Sequence, residues 1–304
     1  MPPSPNHSLD SLIPLKAGRP RMGDDNDMNQ TPAMAAAAVP RTEHAASAAP
    51  VSIFVPKEHG SWSLALEPLA LGLIAAPSLA GIAFAGAVAA GFFARRPLKI
   101  ATARGPADRR RAAREIFVAF SALAVGFLFE AAILGGWRAL WPGLAIAPLA
   151  GLFLAFDTRN ESRMAAAEIV GSAALALAPA ALGALAGWPA GPALALSAVM
   201  LARSVPTVLA VRFCLRLAKG QSSGRAAALL PLLSATAACL AVGALASLRL
   251  VPVAAPLLSA VLVLRTGFYA FQRRPAWPAR RVGICEAVLG AGYVAVIGFT
   301  WVQP

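Results

Sequence analysis

Ionisable side chains inside apolar runs are the residues of this sequence whose types could support chemistry. Six of them lie within long apolar stretches: Glu67, Glu130, Glu168, Arg203, Arg265 and Glu286. Each costs about 2.5–3.5 kcal/mol on membrane-insertion scales, so such side chains need partners, water or a ligand. Buried carboxylates can carry protons, and guanidinium groups bind phosphate oxygens through paired hydrogen bonds. The set predicts a polar pocket inside an apolar protein.

The first apolar run carries a polar stripe that predicts one wall of this pocket. His59, Ser63 and Glu67 are spaced four residues apart, so on a helix they share one face. His59 and Glu67 are therefore candidate catalytic bases. The alternative for Glu67 is a bond to Arg203 or Arg265 that only links helices, and for His59 it is a place at the membrane interface.

Arginines predict an anion site at the mouth of the pocket. Guanidinium groups match phosphate and diphosphate oxygens, so an anionic lipid head or a phosphorylated isoprenoid is a suitable guest. Arg203 is the deepest of the candidates, whereas an arginine near the surface can simply belong to the positive excess of cytoplasmic loops. The predicted anion-binding residues are Arg95, Arg96, Arg203, Arg212 and Arg216, with Glu168, Arg265 and Glu286 as charge partners within the pocket.

The sequence lacks the common motifs for binding metals, nucleotides or a catalytic serine. No P-loop, nucleophile elbow, zinc-binding helix or Cys/His set at metal spacing occurs. Asp157 and Glu161 have the spacing of a helical pair, but Arg159 and Arg163 alternate with them and are expected to neutralise them. We predict no metal site, and the sequence identifies no cofactor.

The elements that must position these residues are membrane-spanning helices. The chain has 304 residues, of which 58% are hydrophobic and 13% charged, a composition typical of repeated membrane spans. The fold class predicted is an all-α, polytopic membrane helix bundle of about nine transmembrane helices. The apolar runs lie at about 60–77, 79–94, 116–135, 139–156, 166–186, 191–211, 226–246, 250–270 and 283–302.

Basic residues predict how the bundle is oriented. Eighteen Lys and Arg lie in the loops after the even-numbered runs and two in the loops after the odd-numbered runs. The first set is expected in the cytoplasm, with the N-terminus inside and the C-terminus outside. The net charge of +13 therefore points to membrane lipids as partners and not to nucleic acid. Residues 1–50 are polar and lack apolar periodicity, which predicts a disordered cytoplasmic tail before a single helical domain, 51–304.

Four sequence blocks resemble the YwiC-like bacterial membrane proteins. They are "PKEHGSWSLALEPLALGLIAAPS", "FFARRPL", "RMAAAEIVGSAALAL" and "RSVPTVLAVRFCLRLAKG", and the similarity extends from about residue 55 to 302. It implies a multi-pass protein of the bacterial cytoplasmic (inner) membrane and no particular reaction. The chain is more distantly similar to UbiA-superfamily prenyltransferases, which implies nine helices around a cavity. Their aspartate-rich motifs are absent from "FFARRPLKI" and "AVRFCLRLAKG", so magnesium-dependent prenyl transfer is not implied here.

Three functions remain open at this point. The first is an enzyme or binding protein for an anionic or diphosphate lipid, with its head at the arginines. The second is a transporter or proton-coupled carrier that uses Glu67, Glu168 and Glu286 with Arg203 as a relay. The third is a non-catalytic membrane partner for the assembly of another complex. The basic mouth and the nine predicted spans favour the first.

Overall fold

The computed structural model describes residues 60–221, 225–271 and 277–301, and every regular element in these ranges is a helix. His59 and residues 1–50 lie outside them. A short 3₁₀ segment, Trp137–Leu140, separates α3 from α4. The α-helices are α1 Gly60–Ala75, α2 Leu79–Thr102, α3 Ala107–Gly135, α4 Gly143–Thr158, α5 Ala165–Ala176, α6 Ala178–Leu185, α7 Ala190–Ala218, α8 Arg225–Ser247, α9 Ala254–Phe271 and α10 Ala279–Thr300.

Each of the nine apolar runs forms a helix, and the fifth run forms the pair α5 and α6. Seven of these helical stretches are long and apolar enough to cross a membrane, counting Ala165–Leu185 as one. The helices of the first and fourth runs, α1 and α4, have 16 residues each and are shorter than the roughly 20 residues of a full span. The polytopic helix bundle is thus confirmed, and the protein is a multi-pass membrane protein.

Several helices continue well beyond the apolar runs that predict them. Helix α2 extends to Thr102, α3 begins at Ala107, and α7 extends to Ala218. The added turns are rich in Arg and Ala, which are good helix formers. An apolar run marks the part of a helix that can lie in the membrane, whereas the hydrogen bonds of the helix can continue into the polar residues that follow. The helices are therefore longer than the apolar runs that predict them.

The break between α5 and α6 is stabilised by a side chain from α7. The Ala180 amide donates to Ser197 Oγ at 2.8 Å, and that hydroxyl donates to the Leu177 carbonyl at 3.0 Å. Ser197 is buried, and the two backbone groups that it bridges also hydrogen-bond each other at 3.2 Å. The Ser197 side chain therefore adds a second link across the break and connects it to α7.

The bundle has a buried interior, and its periphery is apolar. One core joins α1, α7, α8, α9 and α10 through Leu71, Leu196, Met200, Val242 and Ile297, among others. A second core joins α1, α2, α3 and α6. Helix α3 exposes large apolar side chains, as expected of a surface that faces lipid. They include Val118, Val125, Phe129 and Ile133.

Candidate functional site

A buried ion pair connects α1 to α7. Arg203 Nε donates to Glu67 Oε2 at 2.8 Å, and Arg203 Nη2 donates to Glu67 Oε1 at 2.9 Å. Arg203 is 2% exposed and Glu67 is 8% exposed. This two-pronged geometry is the strongest arrangement for an arginine and a carboxylate. Of the two arginines that could pair with Glu67, the fold selects Arg203.

A second buried ion pair connects α9 to α10. Arg265 Nη1 lies 3.2 Å from Glu286 Oε1, which also accepts a hydrogen bond of 2.9 Å from the Tyr269 hydroxyl. Arg265 Nη2 donates to Thr207 Oγ1 on α7 at 3.0 Å. The two pairs meet because Arg203 Nη2 donates to the Glu286 carbonyl at 3.2 Å. The fold thus brings together four predicted residues from four helices.

We call this set the central cluster. The opposite charges of its two carboxylates and two guanidinium groups balance, so its formal net charge is zero. Both tyrosines of the chain belong to it: the Arg265 guanidinium lies 5.5 Å from the Tyr269 ring centre, and Arg203 lies 5.6 Å from that of Tyr293. The central cluster comprises Glu67, Arg203, Thr207, Arg265, Tyr269, Glu286 and Tyr293.

Some polar atoms of the central cluster are buried without a hydrogen bond. Within the part of the chain that the structure covers, no partner reaches Arg203 Nη1, Arg265 Nε or Glu286 Oε2. A buried polar group left unpaired costs about 1–3 kcal/mol, and more when it is charged. The charges of the cluster therefore balance, but two of its donor groups and one of its acceptor oxygens form no hydrogen bond within the described residues.

Asp157 and Glu168 each form a separate pair outside the central cluster. Asp157, at the end of α4, is 2% exposed and accepts hydrogen bonds from Arg95 Nε at 2.8 Å and Lys99 Nζ at 2.9 Å. Its side chain thus contacts α2, so the expectation that Arg159 and Arg163 neutralise it was wrong.

Glu168 accepts a bond of 2.7 Å from Arg212 Nη1. Along α7, Arg212 lies nine residues from Arg203, or about 13 Å at 1.5 Å per residue. Glu168 therefore contacts α7 about two and a half turns beyond Arg203, six residues before the end of that helix.

Arg96 and Arg216 differ from the other predicted anion-binding arginines. Arg96 is half-buried on α2, and its Nη1 atom is buried with no hydrogen-bond partner among the residues described. Arg109 of α3 is close enough to act on it electrostatically, and both are cationic. Arg216 is exposed in the last turn of α7. The predicted set of five arginines is therefore divided between the central cluster, two outer pairs and these two.

An apolar groove lies between α1, α2 and α5. Its cavity volume is about 20 Å³, so it is a shallow apolar depression and not a preformed small-molecule pocket. On α2 its wall ends at Phe92 and Phe93, one helical turn before Arg95 and Arg96. Its lining residues are Ala65, Leu66, Leu69, Val88, Ala89, Phe92, Phe93 and Leu175.

Two other predicted residues lie outside any described site. His59 falls before the first described residue, so its candidate role as a base stays a prediction. Glu130 is exposed on α3.

In the described ranges, no group of three or more His, Cys, Asp or Glu side chains could hold a metal ion.

Sequence reasoning missed Asp157 as the partner of Arg95, and it missed both tyrosines. A usable signal existed for the tyrosines. Tyr269 follows Arg265 by four residues and Tyr293 follows Glu286 by seven, so each shares a helix face with a buried charge. No comparable local signal pairs Asp157 with α2, because 62 residues separate it from Arg95.

Comparison with known proteins identifies one family. Residues 55–182 match the family model described as YwiC-like protein, which confirms the predicted resemblance over that range. The matched segment contains Glu67, Arg95, Arg96, Asp157 and Glu168, whereas Arg203, Arg265 and Glu286 follow it. The comparison with curated proteins finds no match, and neither does the comparison with solved structures. The likeness to UbiA-superfamily enzymes stays a prediction.

Proposed function

We propose that this chain, YwiC-like over residues 55–182, binds an anionic lipid at the cytoplasmic side of a bacterial inner membrane. In this proposal the N-terminus is cytoplasmic, the C-terminus is outside, and the end of α2 faces the cytoplasm. The lipid head contacts Arg96, and part of its tail lies along the apolar groove between α1, α2 and α5. The observation that carries the proposal is an apolar groove that ends one turn from a guanidinium group whose buried Nη1 atom has no hydrogen-bond partner in the described part of the chain.

The spacing along α2 supports a continuous path from tail to head. Arg96 follows Phe92 by four residues and Phe93 by three, so it extends the same helix face toward the end of α2. The apolar wall suits a hydrocarbon chain, since burying each CH₂ group is worth about 0.8 kcal/mol. A guanidinium group at the end of that wall suits a phosphate oxygen.

Arg96 is a better anion site than the arginines that already have carboxylate partners. At Arg95, Arg203 and Arg212 the guanidinium charge is already balanced by Asp157, Glu67 and Glu168 respectively. Among the described residues no carboxylate pairs with Arg96, so an anion there balances an uncompensated charge and relieves the repulsion from Arg109. Phospholipids and isoprenoid diphosphates share this phosphate chemistry, so both belong to the candidate class.

The proposal assigns binding and leaves catalysis open. Glu67 was the candidate base, but both of its oxygens accept hydrogen bonds from Arg203. A carboxylate held in this way has its charge compensated by Arg203, and taking a proton from a substrate would leave that buried guanidinium charge unbalanced. We therefore assign Glu67 to the link between α1 and α7 and assign the lipid head to Arg96.

Native mass spectrometry of the full-length protein in detergent tests this proposal. The ligands are geranylgeranyl diphosphate and phosphatidylglycerol, titrated separately so that the two lipid classes are distinguished. A hydrogen bond to a charged group contributes about 1.5–3 kcal/mol, so Arg96→Gln is expected to weaken binding about 10- to 100-fold. Ala89→Phe fills the groove and is expected to weaken binding of the same lipid.

Arg216→Gln is the matched control, because it removes an exposed arginine from the end of a different helix. It is expected to leave lipid affinity unchanged. Thermal unfolding of each variant verifies that it is folded. Equal affinity of folded Arg96→Gln and wild-type protein for both lipids would falsify the proposed site.

A further inference from the structure

The central cluster contains groups that its own ion pairs do not use. Arg203 Nη1 and Arg265 Nε are donors without partners, and Glu286 Oε2 is an acceptor without one. The three residues are 2%, 9% and 6% exposed respectively. Arg203 also contacts the Glu286 backbone, and Arg265 contacts the Glu286 carboxylate, so these groups lie in one region.

The imbalance between donors and acceptors defines the chemistry of a ligand. Arg203 Nη1 offers two N–H donors and Arg265 Nε offers one, against the single free oxygen of Glu286. A guest for this region must therefore mainly accept hydrogen bonds. It must also be small, since the surrounding helices are closely packed: a Cβ atom at Gly290 would clash with Glu67 and Arg203. A small anion meets both conditions.

Charge balance requires that such an anion arrive with a proton. The cluster is neutral, and an added negative charge without compensation is costly inside a membrane. Arginine does not lose its proton, and Arg203 holds both oxygens of Glu67. Glu286 has a free oxygen, and once it is protonated the anion replaces its charge beside Arg265.

The groups that face Glu286 come from each helix packed against α10. They are Glu67 on α1, Arg203 and Cys214 on α7, and Arg265 and Tyr269 on α9. Thiol and phenol groups are ordinarily protonated at neutral pH and cannot take up a further proton there. Glu286 is therefore the group that can accept the proton.

We propose that the central cluster binds one small monovalent anion together with one proton, which is carried by Glu286. The site is near a helix end: Glu286 lies seven residues after Ala279, or about 10 Å along α10. Tyr269 lies two residues before the end of α9 and contacts Trp277. This inference goes beyond lipid binding and uses none of the residues assigned to the lipid head.

Proton uptake by the full-length wild-type protein provides the first test. Purified protein in weakly buffered detergent solution is titrated with sodium nitrate, and calorimetry and a pH indicator report anion binding and proton uptake. Sodium gluconate, a bulky monovalent anion, is the control for ionic strength. We expect one proton per bound nitrate and therefore a nitrate affinity that falls as the pH rises, by up to about tenfold per pH unit, as the linkage of one proton to one anion requires. No nitrate binding, or nitrate binding without proton uptake, overturns the proposal.

Variants identify the proton carrier. Glu286→Gln resembles the protonated carboxyl group, so it is expected to bind nitrate without proton uptake and with an affinity independent of pH. Glu168→Gln removes a carboxylate paired with Arg212 outside the cluster and is expected to behave as wild type. If proton uptake persists in folded Glu286→Gln, the carrier is another group and the assignment fails. The wild-type stoichiometry decides the proposal even if this variant does not fold.

Discussion

At the scale of single residues, burial determines how much the loss of an ion-pair partner costs in stability. Arg203 and Glu67 are almost fully buried, and their two hydrogen bonds replace the water that each lost on folding. The pair Arg111 and Glu115 is exposed on α3, where water and salt screen the attraction. The same chemical pair therefore has a different energetic role in the two places.

Removing one partner of the buried pair is expected to destabilise the protein strongly. Glu67→Met or Arg203→Met leaves an uncompensated buried charge and should cost about 3–5 kcal/mol. The double variant Glu67→Met/Arg203→Met should cost less than either single variant, because it leaves no unpaired charge. The free energy of unfolding in mixed detergent micelles measures each effect.

The exposed pair supplies the control for this comparison. Glu115→Gln is expected to change the free energy of unfolding by less than about 0.5 kcal/mol, as for surface pairs four residues apart on a helix. If the costs of the two buried substitutions simply add, Glu67 and Arg203 do not act as a pair in the membrane protein.

At the scale of helices, close approach of α10 lets the ion pair between α1 and α7 form. A Cβ atom added at Gly290 would meet Glu67 Oε1, Glu67 Cδ and Arg203 Nη2. Glycine at this position lets the α10 backbone cover the pair, and Arg203 Nη2 then reaches the Glu286 carbonyl. Glycine is thus needed at position 290 because the ion pair of Glu67 and Arg203 lies against it, and not because α10 itself needs a glycine there.

Gly290→Ala is expected to disturb the cluster and to lower stability by about 1–3 kcal/mol, the usual cost of overpacking. Gly292→Ala is the matched control on the same helix, since an added Cβ there meets nothing within 4 Å. Alanine is the better helix former, so this control should be neutral or slightly stabilising. Unfolding of both variants under identical conditions gives the comparison. An equal effect of the two substitutions would contradict the proposed contact.

At the scale of the whole molecule, the arrangement of charges reflects the membrane. The buried charges are paired across helices, whereas most of the basic residues lie between an even-numbered apolar run and the next run, many of them in the polar ends of helices. Large apolar side chains cover the exposed face of α3. This distribution predicts that the connection between α2 and α3 faces the cytoplasm and that the connection between α3 and α4 faces outward.

Cysteine labelling tests that orientation. In a variant without Cys214, Cys239 and Cys285, single cysteines are introduced as Ala103→Cys or Arg138→Cys, both at exposed positions. A membrane-impermeant maleimide applied to intact cells is expected to label the second variant and not the first. After the cells are permeabilised, both should react. Labelling of only the first variant in intact cells would show the opposite orientation.

The sequence by itself determined the helical class, the approximate spans and four of the buried charges. These properties follow from local composition: a run of apolar residues must form a helix in lipid, and a charge within it must find a partner. Glu67, Arg203, Arg265 and Glu286 could therefore be recognised as special without any knowledge of the fold.

Only the tertiary structure decided which partners these charges have. Glu67 pairs with Arg203, 136 residues away, and Asp157 pairs with Arg95, 62 residues away, although Arg159 and Arg163 lie within six residues of it. Glu168, predicted as a charge partner in the pocket, pairs with Arg212, itself a predicted anion-binding residue. Such choices depend on which helix faces meet and at what depth. The facing and the depth of the helices depend on the packing of the whole bundle, including the close approach of α10 at Gly290. No local sequence pattern predicts this packing.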